Sequence, residues 1–218
     1  MCHGVGAVND VITSSVLSVP HGFPTRDGRP PQPLFTVHQV HSDRVVQAGP
    51  GELGQADALW TQEQGAALGI KTADCVPLLL EDPVGRRVAA VHAGWRGAIA
   101  EIPLRAIEAL VRSGTEPSNL RAALGPSIRT CCYVVGEDLA ERFERRFGAS
   151  VVERRDGKPY LDVARSVRLM LTQARVPAAQ IADTGECTSC DTRFHSHRRD
   201  HAGGRQVSFI VCTWPRGA

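Results

Sequence analysis

The stretch TADCVPLLLEDPVGRRVAAVHAGWRG, residues 72–97, decides how this chain folds. Val76 to Leu80 is a continuous apolar run, the mark of a strand buried on both faces. Asp82-Pro83-Val84-Gly85 follows as a turn, and Val88 to His92 returns as a partner strand, so the two runs read as a hairpin. Cys75 then starts one strand, and His92 ends the other just before a Gly94–Gly97 turn, so an approach across the hairpin is expected.

Outward from the hairpin, Leu120 to Leu124, Tyr160 to Val163 and Val207 to Trp214 read as further strands, the last of them central. Leu104, Ile107, Leu110 and Val111 share a helical face, with Pro103 tolerated only near a helix start. Leu139, Phe143 and Phe147 mark a second helix, and Val163, Val167, Met170 and Leu171 a third. The mixture predicts an α+β fold, a single-domain layered sandwich with a mixed β-sheet flanked by helices. Residues 1–33, rich in Gly and Pro, are expected to be irregular except where HGFPTR packs, leaving 34–218 as one catalytic domain.

At 218 residues the chain suits one well-buried domain. A hydrophobic content of 42% with 22% charged residues is that of an ordinary globular protein. A net charge of +2 argues against nucleic acid as the partner, and no apolar run is long enough to span a bilayer. Seven cysteines without small-scaffold spacing point to reduced thiols and a cytoplasmic location. Arg142, Arg145 and Arg146, with Arg154 and Arg155, read as a solvated helix face and loop.

Three residues able to hold a transition metal, His41, Cys75 and His92, occupy three separate apolar segments. No pair has zinc-finger spacing, so the fold must assemble any site they form, as in catalytic zinc centres with an open fourth position. The set also resembles a blue-copper site, which adds a distant axial Met, yet the only methionines are Met1 and Met170. Several coppers need many histidines, and the chain has eight, so zinc is the expected metal, with copper the other choice. A metal-free reading pairs Cys75 as nucleophile with His92 as base. Asp74 could orient that base or hold a substrate hydroxyl, or serve as a hydrogen bond at a strand end. Arg44, three residues after His41, could bind an anion bidentately or be a surface arginine. Cys187-Thr-Ser-Cys190, a single CxxC near His195, His197 and His201, is a weak sign of a structural zinc. Adjacent Cys131 and Cys132 read as buried packing rather than a disulfide, and the 193–205 loop as a cover over a pocket.

The ordered series HQVHSDRV, ADALWT, TADCVPLLLED, AAVHAGWRG, ALGPSI, CCYVVG, CTSC and FHSHRRD resembles the YfiH/YlmD family of laccase-domain, multicopper polyphenol oxidase-like proteins. The resemblance runs over residues 35–212 and implies that His41, Cys75 and His92 are the metal ligands. It also implies a sheet-and-helix fold similar to that of cysteine hydrolase toxins. The implied activity is zinc-dependent phosphorolysis of purine nucleosides (adenosine, inosine, methylthioadenosine) together with adenosine deamination. Nucleoside and phosphate would then be the partners, Arg44 would receive phosphate, and Arg198, in the family's RRD element, could face substrate. Copper-dependent phenol oxidation and editing of peptidoglycan precursors are the alternatives. The chain departs from the family where HGFPTRDG runs almost directly into QPLFTVHQVH, a longer segment being usual there. It also departs at Arg129 and Thr130, where Gly and Pro are common, and at His195 and His197, where aromatic rings are usual.

Overall fold

The hairpin is the middle of the larger sheet. The structure is a computed structural model describing residues 10–201 and 203–214. Its strands are β1 (Val11–Ile12), β2 (His21–Pro24), β3 (Val45–Gln47), β4 (Ala58–Thr61), β5 (Ala67–Thr72) and β6 (Val76–Asp82). They continue with β7 (Arg87–Ala93), β8 (Arg121–Leu124), β9 (Val152–Arg155), β10 (Lys158–Leu161), β11 (Ile181–Asp183) and β12 (Gln206–Val211). The helices are α1 (Trp95–Ile99), α2 (Ile102–Arg112), α3 (Glu137–Phe147), α4 (Val163–Gln173) and α5 (His197–Asp200).

β6 and β7 pair antiparallel from Val76 opposite Ala93 to Asp82 opposite Arg87. Asp82 closes their turn, its Oδ1 accepting the N–H groups of Val84 (3.1 Å) and Gly85 (2.8 Å), as a turn aspartate does. The six-stranded sheet runs β11-β8-β6-β7-β4-β3 and is mixed, with its two outer pairs parallel. The all-apolar run is explained by its position. Leu78 and Leu80 face the core built with α2, α3 and α4, while Leu79 faces the opposite core. Val91 and Val88 divide in the same way across β7. One side of the sheet therefore packs helices and the other packs a second sheet, giving three layers.

That second sheet corrects the expectation of one sheet. Its order is β1-β2-β12-β5, and all its pairs are antiparallel. Phe23, Leu68, Ile70 and Ile210 pack against Leu59, Leu79 and Ala90 of the larger sheet. β12 lies inside it, as expected of a central strand. Val11–Ile12, in the segment expected to be irregular, is a short strand, while His21–Pro24, in the HGFPTR stretch expected to pack, is a buried strand; residues 1–9 lie outside the described residues.

Three boundaries also shift, one of them that of the strand expected over 207–214, which ends at Val211. The Gly94–Gly97 turn is the N-cap and start of α1. The strand expected over 160–163 ends at Leu161, because Asp162 caps α4 by accepting the Arg165 N–H at 2.8 Å. α2 begins with Pro103 in its first turn, and Val111, read as part of its buried face, is 42% exposed. No helix among the described residues is long and apolar enough to cross a membrane.

Candidate metal centre

The site is organised by a residue the sequence reading passed over. Asp57 is fully buried just ahead of β4, between the His41 turn and β7. Its Oδ2 accepts the N–H groups of Val40 (3.2 Å) and Ser42 (2.5 Å) and the Ser42 hydroxyl (2.8 Å). Its Oδ1 accepts the His41 N–H at 3.0 Å and the His92 Nδ1 proton at 2.8 Å. Its backbone carbonyl also accepts the His92 N–H at 2.8 Å. One carboxylate thus shapes the turn carrying His41 and fixes the His92 ring, leaving Nε2 of His92 directed at Cys75, where a metal would bind.

His41 has φ 61°, left-handed backbone that a non-glycine residue adopts only when its surroundings impose it. The N–H bonds to Asp57 supply that constraint. Cys75 ends the short segment between β5 and β6, and His92 is the next-to-last residue of β7. The ligand atoms of His41, Cys75 and His92 all lie within 4.8 Å of one another. Gly94 makes room: a Cβ there would stand 2.8 Å from Cys75 Sγ and 3.1 Å from His41 Cδ2. The donor set, the His92 Nε2 turned into it and the glycine cradle suit one transition-metal ion.

Charge follows the same geometry. Burial raises the Asp57 carboxyl, but its bonds from His92 and Ser42 outweigh burial and hold it well below the carboxylate range. Burial would raise the Cys75 thiol, yet hydrogen bonds from His41 and His92 bring it down to about 6. Burial would lower His92, yet Asp57 and Cys75 lift it to about 9. Without metal, Cys75 and His92 form a thiolate–imidazolium pair at neutral pH.

The trio opens on a cavity of about 650 Å³, ordinary for a small-molecule site. Lys71, Arg96, Arg198 and Arg205 line it, along with Trp95 and Tyr133. Burial pushes the Tyr133 hydroxyl up to about 12, so it stays protonated. Arg198 donates through Nη1 to the Val134 carbonyl (3.0 Å), and its guanidinium lies 5.0 Å from the Tyr133 ring. His197 lines the cavity too, so the 193–205 loop borders it.

Asp74 has φ 85° and also lines the cavity. Its Oδ1 accepts the Thr188 hydroxyl and its Oδ2 the Arg198 N–H, each at 2.7 Å. Arg44 is exposed on the segment leading into β3 and is not among the cavity residues. Arg199 binds the carbonyls of Thr188, Ser189 and Asp191, and Arg129 pairs with Asp183 at 2.6 Å, so both hold loops. Met170 is buried among the helices and is not a cavity residue, while Met1 lies outside the described residues. The packing expected for Cys131 and Cys132 is corrected: Cys131 is exposed, Cys132 half-buried, and both sulfurs face Cys190.

Asp57 had one sequence signal, a lone carboxylate within the apolar QADALW stretch. Gly94, Lys71, Arg96 and Tyr133 had none specific enough to single them out.

A family model described as multi-copper polyphenol oxidoreductase laccase matches residues 23–213. The chain is 40% identical over 180 residues to a purine nucleoside phosphorylase of Deinococcus radiodurans, covering 83% of this chain and 70% of that protein. It is 39% identical over 182 residues to adenosine deaminase RL5 of an unknown prokaryotic organism, covering 76% and 70%. Among solved structures, Neisseria meningitidis NMB0706 superposes with a TM-score of 0.85 at 28% identity, covering 94% of this chain and 100% of that one. YlmD of Geobacillus stearothermophilus gives 0.77 at 29% identity, covering 83% and 74%.

Proposed function

The chain belongs to the multi-copper polyphenol oxidoreductase laccase family, and from that premise we propose that it is a zinc-dependent purine nucleoside phosphorylase that also deaminates adenosine. One observation carries the reading: a His, Cys, His trio on a cavity that also presents four cationic side chains and two large aromatic ones. Phosphate is a dianion that needs fixed cations, and a purine needs flat apolar faces. The relatives named for purine nucleoside phosphorolysis and adenosine deamination support the same substrates.

Zinc at the trio would supply a Lewis acid with one open coordination position. The remaining work falls to the chain. Arg198, with Arg96, Arg205 and Lys71, would hold phosphate so that one of its oxygens bonds to C1′ of the ribose. The N-glycosidic bond breaks, its electron pair leaves on the purine nitrogen, and the purine takes up one proton. In deamination, water adds at C6 of adenine and ammonia leaves. Asp74 would act as a positioning residue, since its oxygens pin Thr188 and the Arg198 backbone. Arg44 is a second candidate for phosphate, acting from outside the cavity. Zinc is preferred to copper because, among the described residues, no methionine lines the cavity to complete a blue-copper set.

The test is adenosine incubated with metal-replete protein, with and without phosphate. Ribose 1-phosphate and adenine should form only with phosphate, and inosine with or without it. Failure to turn over any purine nucleoside under either condition counts against the reading.

A second reading has its own observation, the thiolate–imidazolium pair that Cys75 and His92 form without metal. There Cys75 is a nucleophile, and His41 holds no metal and only supports the thiolate through its hydrogen bond. His41→Ala separates the two: activity survives in the metal-free reading and is lost with the metal in the first.

A further inference from the structure

A second group of metal-ligand side chains lies outside the trio. Cys131 and Cys132 occupy the segment between β8 and α3, and Cys187 and Cys190 the loop between β11 and α5. Their four sulfurs all lie within 4.8 Å of one another. Cys190 Sγ is 3.4 Å from Cys131 Sγ and 3.3 Å from Cys132 Sγ. A disulfide needs about 2.05 Å and can join Cys190 to only one partner. A single ion needs all four sulfurs at once. With zinc–sulfur bonds of about 2.3 Å, a tetrahedron has sulfur–sulfur edges of about 3.8 Å, close to the spacing present here. An iron–sulfur cluster would hold its cysteines farther apart, because two or more irons stand between them.

The surrounding backbone is built around this group. Ser127 bridges Cys187 in parallel, its N–H reaching the Glu186 carbonyl (3.2 Å) and its carbonyl accepting the Thr188 N–H (3.1 Å). The Asp191 N–H closes the CxxC turn on the Cys187 carbonyl at 2.9 Å. Burial raises the Cys187 thiol, but N–H bonds from the Cys190, Arg129 and Ser189 backbone bring it below its ordinary value. Backbone N–H groups aimed at a sulfur are the outer-shell support that metal thiolates use. Arg129, the departure from the family pattern, joins the two loops through Asp183 and the Glu186 carbonyl.

We propose that Cys131, Cys132, Cys187 and Cys190 form a four-thiolate zinc site, distinct from the His41, Cys75, His92 centre, that staples the loop after β8 to the loop after β11. Binding one Zn²⁺ releases the four thiol protons and leaves a dianionic tetrathiolate with no open position, which is a structural site and not a catalytic one. The staple bears on the cavity, because the first loop carries Ile128 and Tyr133 and the second leads into α5, which begins with His197 and Arg198. The exposed Cys131 gives the ion its way in. The site does not depend on which reaction the trio carries.

The test counts metal on protein purified under reducing conditions with zinc present. Wild type should hold about two zinc ions per chain, and His41→Ala and the Cys187→Ser, Cys190→Ser double variant about one each. His41→Ala leaves the cysteine group intact, so it answers even where the double variant fails to fold. Cobalt substituted into His41→Ala should show thiolate-to-cobalt charge transfer of four-sulfur tetrahedral intensity and release about four protons per ion. His41→Ala without zinc, or with iron or copper in its place, overturns the proposal. So does the recovery of these cysteines as disulfides from reducing buffer. Failed turnover with two zinc ions bound would count against the phosphorylase reading and leave this site standing.

Discussion

Asp57→Asn probes the centre most sharply, because every oxygen lone pair of Asp57 is asked to accept. An asparagine keeps the shape and replaces one oxygen by an amide NH₂, which can only donate. With the NH₂ in the Oδ2 place, it faces the Val40 and Ser42 N–H groups, and two bonds of the His41 turn are lost. With the NH₂ in the Oδ1 place, it opposes the His41 N–H and can satisfy His92 only if Nδ1 becomes an acceptor. The His92 proton then moves to Nε2, the nitrogen that would bind metal. Each charge-assisted bond lost costs about 1.5–3 kcal/mol, so a destabilisation of about 3 kcal/mol is expected. For a chain of this length that lowers the melting midpoint by about 6–12 °C. Zinc affinity should fall about 10–100-fold, as when a histidine ligand loses its carboxylate partner. Calorimetry on metal-stripped protein and competition with a chromophoric chelator give the two numbers. An Asn variant that melts with wild type and binds zinc equally well would refute the role given to Asp57.

Three further outcomes follow from the same geometry. Gly94→Ala should weaken zinc binding about tenfold by chelator competition, an outer-shell magnitude, because its Cβ would press on Cys75 and His41. In metal-stripped protein, Cys75 alkylation followed by mass spectrometry should rise through pH about 6, since the thiolate reacts and His41 and His92 favour it; a midpoint near the ordinary thiol value of about 8.5 would contradict this. Arg198→Ala should raise the KM for phosphate more than Arg44→Ala does, because only Arg198 lines the cavity; the reverse order would move phosphate outside it.

The hairpin was legible because an unbroken apolar run has few uses, and Val76 to Leu80 is indeed covered on both faces. His41, Cys75 and His92 were legible because each pairs ligand chemistry with an apolar segment. The second sheet was not, because β2, β5 and β12 are far apart in the chain and none announces its neighbours. Asp57 was missed for a related reason: its function exists only once residues 40–42 fold back onto it from 15–17 positions away. The four-cysteine group was hidden most completely. Cys131 and Cys190 are 59 residues apart, and a vicinal pair with one CxxC matches no familiar zinc spacing. Local pattern reveals what a residue needs, while long-range pairing decides what it receives.

The most direct measurement of the central claim follows ribose 1-phosphate from adenosine and phosphate, using one preparation as purified, after exhaustive chelation, and after zinc is restored. The metal at His41, Cys75 and His92 predicts turnover in the first and third samples and loss in the second, with His41→Ala inactive throughout. Undiminished turnover in a chelated sample whose metal content is confirmed near zero would contradict it.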